Sequence, residues 1–362
     1  MSRRLIAYAH ERGGPASRFR VEQLVPLLER AGWSVSLRTQ DPARPWDSPY
    51  RGALRWLHRR VRMRLRHVRR MRDVRAASAY DVVLLNRDLL GGRPEYEDEL
   101  FRRNPRVVFD FDDAIYLGRN EAHVAGICAR AAWVTAGNET LADFARRHTD
   151  RVTVLPTVVD TDASLVRHTH ERAGPVRVGW LGSDRSIRET LLPYLPMLAR
   201  LRDALGFELV IVTKPRPELP PELGAWRWVE WNPESETRIA ELIDVGIMPL
   251  VDEPFQRGKC GLKLLQYMAA GLPAVASPVG INVQLLGDGR GLCAASDDQW
   301  RDALAALVRD PGLRATLGAT GRAFVEERYA LRTWFPVLEE ILARVAAEEP
   351  RARPATRVRR DA

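Results

Sequence analysis

Lys259 and Lys263 are two of only three lysines in this 362-residue chain. The third is Lys214, and every other basic residue is arginine. Lysine is a compact point charge, whereas the arginine fork suits planar, bidentate partners. Two lysines four residues apart, in a chain whose default cation is arginine, mark a place that wants concentrated positive charge. They lie in Arg257–Ser277, RGKCGLKLLQYMAAGLPAVAS. Gly258 and Gly261 allow a ligand close to the backbone. Leu262, Leu265 and Ala269 recur at helical spacing, with Lys259, Lys263 and Gln266 on another face. Gly271 and Pro273 end the helix, and Ala274–Ser277 reads as a short buried strand. The N-terminal amides at Cys260, Gly261, Leu262 and Lys263, with the two lysines, make an anion site suited to a diphosphate. The alternative, an ordinary helix with two solvated lysines, leaves the lysine distribution unexplained.

A second group is acidic. Arg106–Asp113, RVVFDFDD, is an apolar strand that runs into carboxylates. Parallel α/β sheets place their chemistry at the carboxyl ends of strands. Asp112 or Asp113 is therefore a candidate general base, or a stabiliser of developing positive charge. One of them is equally suited to capping the following helix. The Asp110-Phe111-Asp112 pattern is too short to indicate a metal, and none is expected there. A third group is Gly13-Gly14 after the first apolar run, with Arg18 and Arg20 just inside the next helix. Gly14, Arg18 and Arg20 are candidates for an anion, with a solvated helix face as the rival.

The elements that position these groups repeat. Leu5–Ala9, Ser34–Leu37, Tyr80–Leu85, Arg106–Asp113, Ala131–Ala136 and Val152–Leu155 read as strands separated by helical stretches. The same grammar restarts at Val176–Leu181, with a tight turn at Gly182-Ser183. It continues through Glu208–Thr213, Trp226–Trp231, Val245–Leu250, Ala274–Ser277 and Gly291–Ala295. Strand, glycine turn, helix, strand, occurring twice, predicts an α/β chain of two Rossmann-like domains facing across a cleft. The expected divisions are 1–156, a linker at 157–175, a second domain at 176–328, a helix at 329–349, and a Pro- and Arg-rich disordered tail at 350–362.

Residues 55–75 hold ten arginines and one aspartate, a net charge of +9. The whole chain is also +9, so cations and anions balance everywhere else. Leu54, Leu57, Val61, Leu65, Val68 and Met71 give this segment a helical apolar stripe. Three partners fit such a basic helix at 54–75: an anionic membrane face with Trp56 at the boundary, nucleic acid, or plain solvent. The membrane face, or an acidic acceptor, fits best, and nucleic acid is not expected. Hydrophobic residues make up 45% of the chain, enough for two cores, yet no run reaches the ~20 needed to span a bilayer. Cys128, Cys260 and Cys293 show no zinc-like or paired spacing, which suits a reducing compartment. The apolar run Leu5–Ala9 is too short for a signal-peptide core. A cytoplasmic protein, peripheral at the inner membrane face, is expected.

Several stretches in order resemble the family 4 retaining glycosyltransferases, which have the GT-B fold. Pro156-Thr157-Val158-Val159-Asp160 is similar to that family's interdomain signature. Asp244–Leu250 is similar to the strand before its donor motif, and Gly261–Pro273 to the motif core. Phe324–Tyr329 resembles the helix that crosses back to the first domain. The chain departs from the motif at its two glutamates, which are here Gly258 and Gln266. Trp180 stands where an arginine is usual, and Asp112 stands at the family's histidine.

The resemblance implies a nucleotide-sugar donor, a retaining transfer without a metal, and no further cofactor. It places the donor diphosphate at Cys260–Lys263, approached by Gly182 and Ser183, with Lys259 and Lys263 as replacement cations. Gln266 would hold the ribose and Lys214 would border the base. Asp112 or Asp113 would face a sugar, lipid-linked or small-molecule acceptor, with Arg18 and Arg20 at its entrance. Two other readings stay open: a GT-B epimerase or pseudo-glycosyltransferase, and a non-catalytic basic scaffold.

Overall fold

The computed structural model describes residues 3–40, 48–91 and 93–349. The chain divides into two compact units. The first comprises Met1–Pro156 with Phe335–Ala362, and the second Thr157–Trp334.

The first unit holds a six-stranded parallel sheet: β1 (Arg3–Glu11), β2 (Trp33–Gln40), β3 (Val82–Asn86), β4 (Val107–Phe111), β5 (Trp133–Ala136) and β6 (Val152–Val154). Their order is β2-β1-β3-β4-β5-β6. β3 and β4 are buried at every position because helices cover both sheet faces, which is why they read as unbroken apolar runs. The order reverses direction between β1 and β3. At such a switch point neighbouring crossovers leave the sheet on opposite faces and open a crevice at the strands' carboxyl ends.

The second unit repeats the scheme with β7 (Arg177–Leu181), β8 (Glu208–Thr213), β9 (Arg227–Glu230), β10 (Val245–Met248), β11 (Ala274–Ala276) and β12 (Leu292–Cys293). Their order, β12-β11-β10-β7-β8-β9, is that of a dinucleotide-type Rossmann sheet, with its switch point between β7 and β10. Its core gathers Val178, Trp180, Leu198, Ile211, Ile247 and Trp300.

Residues 157–175, expected as a linker, form part of the second unit. Arg167 N donates to Ala270 O at 2.9 Å, Arg314 Nη2 to His170 O at 2.5 Å, and Arg322 Nη2 to Thr161 O at 2.9 Å. Arg314 and Arg322 thus hold the segment through the carbonyls of its buried residues His170 and Thr161, beside the buried Val158 and Val159. Residues 350–362, expected as a disordered tail, lie outside the described residues.

The helix Leu331–Ala347 passes to the first unit from Phe335 onward. Its buried Leu338, Ile341, Leu342 and Val345 are spaced for one helical face. Within the first unit, Glu339 accepts from Trp33 Nε1 at 3.1 Å, and the Glu348 carbonyl from Arg106 Nε at 3.0 Å.

Residues 52–75 form one helix, as the stripe predicted, but its orientation inverts the usual rule. Leu54, Leu57, Val61, Leu65 and Val68 are exposed, together with Trp56 and Met63. The side turned toward the protein carries His58, Arg62, Arg66, His67 and Arg70. Among the described helices none is long and apolar enough to cross a membrane.

Candidate functional site

In the second unit the donor-type elements converge at the switch point. The helix Leu262–Ala269 begins at Gly261, whose φ of +69° an L side chain rarely adopts. A Cβ there would stand 2.4 Å from Leu285 Cδ1, so both conformation and space require glycine. Glycine offers no side-chain cap, so the first turn presents its positive end to whatever lies in front. Leu264, Leu265, Tyr267, Met268 and Ala269 are buried and fix the helix to the sheet, while Leu262, Lys263 and Gln266 are half-buried.

Tyr267 sets the helix against both switch-point strands. Its hydroxyl accepts from Leu181 N at 2.9 Å, at the end of β7, and reaches Ile247 O of β10 at 3.3 Å. Its ring occupies the space above Gly246, where a Cβ would come within 2.3 Å. Burial pushes the Tyr267 hydroxyl well above its ordinary pKa, so it remains a neutral donor.

The turn after β7 meets this helix directly. A Cβ on Gly182 would lie 2.4 Å from the Trp180 ring and 3.0 Å from Lys263 Cε. Lys263 Nζ lies 5.1 Å from the centroid of the Trp180 ring, which is fully buried. Gly182, Trp180 and Lys263 therefore form one cluster. The cation–π contact holds the ammonium at the glycine turn, worth roughly 0.5–2 kcal/mol depending on desolvation. Ser183 follows as the N-cap of a short helix, its Oγ accepting from Ser186 N at 3.3 Å. Cys260 is buried, and Lys259 Nζ sits 5.1 Å from the Phe255 ring centroid. Lys214 is exposed at the end of β8 and pairs with Glu230 at 3.1 Å.

In the first unit, Arg87 organises the acidic group. It follows β3 with φ +60°, unusual for a non-glycine residue, which swings its side chain across to β4. Arg87 Nη2 donates to Asp112 Oδ1 at 2.8 Å and to Asp113 Oδ2 at 2.6 Å, and Nε to Asp112 Oδ1 at 2.9 Å. Burial works against Asp112's charge, but the Arg87 guanidinium, with the Arg20 charge and a backbone hydrogen bond, outweighs it and holds the carboxyl below its usual range. Burial likewise opposes the charge on Arg87, and the two carboxylates more than restore it. A carboxylate held this way stays ionised and is a poor proton acceptor. Of the two roles expected for Asp112, stabilising positive charge fits this geometry and general base does not.

Arg20 is a correction. Its side chain is buried, bonded to Asp110 through Nε at 3.0 Å and to Leu155 O at 2.8 Å. Asp110 also accepts from Asn86 Nδ2 at 2.9 Å and Thr135 Oγ1 at 2.6 Å. Arg20 is thus committed to Asp110 and Leu155 inside the first unit, where the sequence suggested an anion or acceptor entrance. Gly14 is corrected too. Its helix, Pro15–Arg20, has only six residues, and the Gly14 N–H already donates to Glu11 O at 3.2 Å. Arg18 stays at the half-buried surface beside the Phe19 ring, 4.8 Å from its centroid. Among the described residues, no three His, Cys, Asp or Glu side chains are grouped to share a metal ion.

Two residues that matter here had no assigned role in the sequence. Arg87 is one arginine among many, and only its place after an apolar strand could have marked it. Tyr267 reads as one more apolar helix position.

Residues 176–310 match the family described as Glycosyl transferases group 1. No curated protein matches the chain in sequence. Solved structures do match. Sucrose-phosphate synthase from Thermosynechococcus elongatus superposes with a TM-score of 0.71 at 17% identity, over 95% of this chain and 99% of that one. A glycosyltransferase from Rickettsia africae gives 0.68 at 11%, over 96% and 100%. HepE from Anabaena, solved in complex with UDP-glucose, gives 0.66 at 14%, over 94% and 99%. Identities this low establish a shared fold, the two Rossmann-like domains of the GT-B type.

Proposed function

From the premise that this chain is a GT-B glycosyltransferase with a group 1 domain at residues 176–310, we propose that it moves a sugar from a nucleoside-diphosphate donor to an acceptor with retention. The observation that carries this reading is the meeting of Gly182, Trp180 and Lys263 at the β7–β10 switch point, beside the N-terminus of Leu262–Ala269. A diphosphate seated there meets helix amides, a backbone turn with no side chain in the way, and an ammonium held by an aromatic ring. As the glycosidic bond lengthens, negative charge grows on the diphosphate. Lys263 and the helix N-terminus are preorganised to stabilise it, the role a metal ion plays at many phosphate sites. Gln266, half-buried one turn further on, suits the ribose hydroxyls as an uncharged donor and acceptor. HepE, a structural neighbour, was solved with UDP-glucose, which makes uridine the first base to test. A thermal-shift panel of nucleoside diphosphates tests the reading. A rise in melting temperature for one base, lost in Lys263→Ala, is expected, and no response to any of them overturns it.

The same reading places the enzyme on an anionic membrane surface. Here the support is the outward apolar stripe of the Gly52–Arg75 helix, flanked by exposed Arg55, Arg59, Arg60, Arg64 and Arg72. A row of exposed leucines and valines between arginines suits a helix lying in a headgroup layer. Nucleic acid would have no use for the stripe.

A further inference from the structure

The loop that follows β3 carries Arg87, and a buried acid holds it two residues further on. Leu89 is fully buried, and its N–H donates to Glu97 Oε1 at 2.6 Å. Its carbonyl accepts from Gln40 Nε2 at 2.7 Å and from Arg70 Nε at 3.0 Å. Both backbone groups of Leu89 are therefore tied to side chains. Glu97 lies on the helix Pro94–Arg103 and is fully buried. Its second oxygen, Oε2, has no hydrogen-bond partner among the described residues. The group that faces Oε2 is His123, on the helix Glu121–Arg130, with Nε2 at 3.7 Å and a side chain only 11% exposed. His123 Nε2 is likewise buried and without a hydrogen-bond partner among the described residues. A separation of 3.7 Å is too long for a good hydrogen bond, yet short enough for an ion pair. Water and salt screen charges weakly at a buried site, so the charge on the ring decides how strongly the two groups attract.

We propose that His123 and Glu97 form a pH-sensitive latch on the Leu89 loop, tight while the imidazole is protonated and loosened when it is neutral. The charged groups that act on His123 are Glu97 on the facing helix, Asp88 in the loop itself and Arg130 on its own helix. Two carboxylates against one guanidinium favour the protonated ring. The interaction with Glu97 outweighs burial and raises the His123 pKa above its ordinary 6.5. A group raised in this way adds stability that is complete below its unfolded value and is lost as pH rises through the folded one. The latch therefore loosens on the alkaline side of 6.5, within the range where histidines switch. Deprotonation leaves a buried carboxylate facing a neutral ring, which is costly. The Leu89 N–H bonds that same carboxylate, so the loop is where the cost is relieved. Arg87, two residues back, is aimed at Asp112 and Asp113 from this loop. The latch does not rest on the proposed glycosyl transfer.

The test is amide hydrogen exchange on the full chain, read by NMR from about pH 5.5 to 8.5 and corrected for the intrinsic rise of exchange with pH. In the wild type, protection of the Leu89 amide should fall about tenfold across that range relative to Leu84 in β3. The His123 ring, followed in the same samples, should titrate above 6.5. Glu97→Gln keeps an oxygen for the Leu89 N–H and removes the charge that the ring senses. Leu89 protection should then lose its dependence on pH, and the His123 midpoint should fall to 6.5 or below. His123→Gln should likewise flatten the Leu89 profile, at the level of alkaline wild type. Leu89 protection that does not vary with pH in the wild type overturns the latch, as does a wild-type His123 midpoint at or below 6.5. The same pH dependence in His123→Gln as in wild type also overturns it. The two wild-type readings need no variant, so they decide the question even where a substitution disturbs folding.

Discussion

Lys263 Nζ lies 5.1 Å from the centroid of the buried Trp180 ring, and its Cε passes 3.0 Å from where a side chain on Gly182 would begin. An aromatic at the end of the strand thus positions a cation that comes from the helix. Lys263→Ala should reduce donor turnover by about 10²–10³, the usual loss on removing one preorganised charge-stabilising donor. Lys263→Arg should recover only part, because the guanidinium spreads over a planar fork the charge that the ammonium concentrates at one point. Steady-state kinetics decide it: near wild-type turnover in the alanine variant would remove Lys263 from the site.

Glycine at 182 is required by space alone, and at 261 by space and conformation together. Gly182→Ala should cost about 1–3 kcal/mol through overpacking against Trp180 and displace the Lys263 stem. Gly261→Ala adds the strain of its φ of +69°, and should cost more stability and misdirect the helix N-terminus. Chemical denaturation of both variants gives the ranking. Equal stability of Gly261→Ala and wild type would contradict the described turn.

Arg87 makes a prediction about pH. Asp112's folded pKa lies below its unfolded value, so its ion pair contributes stability above about pH 4 that is lost as pH falls through the lower, folded value. In Arg87→Met, burial, which raises a carboxyl pKa, is opposed only by the Arg20 charge and a backbone hydrogen bond. The slope should then flatten, with less stability lost as pH falls below about 4. Urea denaturation midpoints across pH 3–7 read this directly. Parallel profiles for wild type and variant would show that Arg87 does not control the pair.

Much of this was legible in the sequence because parallel strands buried on both faces announce themselves as apolar runs. All twelve runs read as strands are strands, from β1 at Leu5 to β12 at Leu292. The donor-side glycines were legible for a related reason, since only glycine fits a left-handed turn or a ring-filled space. What stayed hidden depends on long side chains. Arg18, Arg20 and Arg87 look alike in one dimension, yet one lies at the surface, one is buried on Asp110, and one bridges Asp112 and Asp113. Arginine reaches six or seven ångströms from its backbone, so local pattern does not say where its charge arrives. The basic helix hid its orientation the same way. Its stripe predicted a helix correctly, but periodicity cannot tell which face the protein keeps.

That inversion gives the membrane prediction two separable parts. Arg55, Arg59, Arg60 and Arg64 are exposed, and changing all four to glutamine should weaken binding to phosphatidylserine vesicles by about 10²–10³, at roughly 1 kcal/mol per charge. The remaining affinity should be less sensitive to salt. Leu57→Ser with Leu65→Ser and Val68→Ser removes the apolar stripe, leaves every charge in place, and should weaken binding without changing its salt dependence. Because these side chains are exposed, the triple variant should fold as stably as wild type, within about 0.5 kcal/mol per site. Vesicle sedimentation at several ionic strengths distinguishes the two contributions. Membrane binding that survives loss of the stripe unchanged would mean that the leucines face another partner. A stripe variant that unfolds would mean that they are covered within the protein.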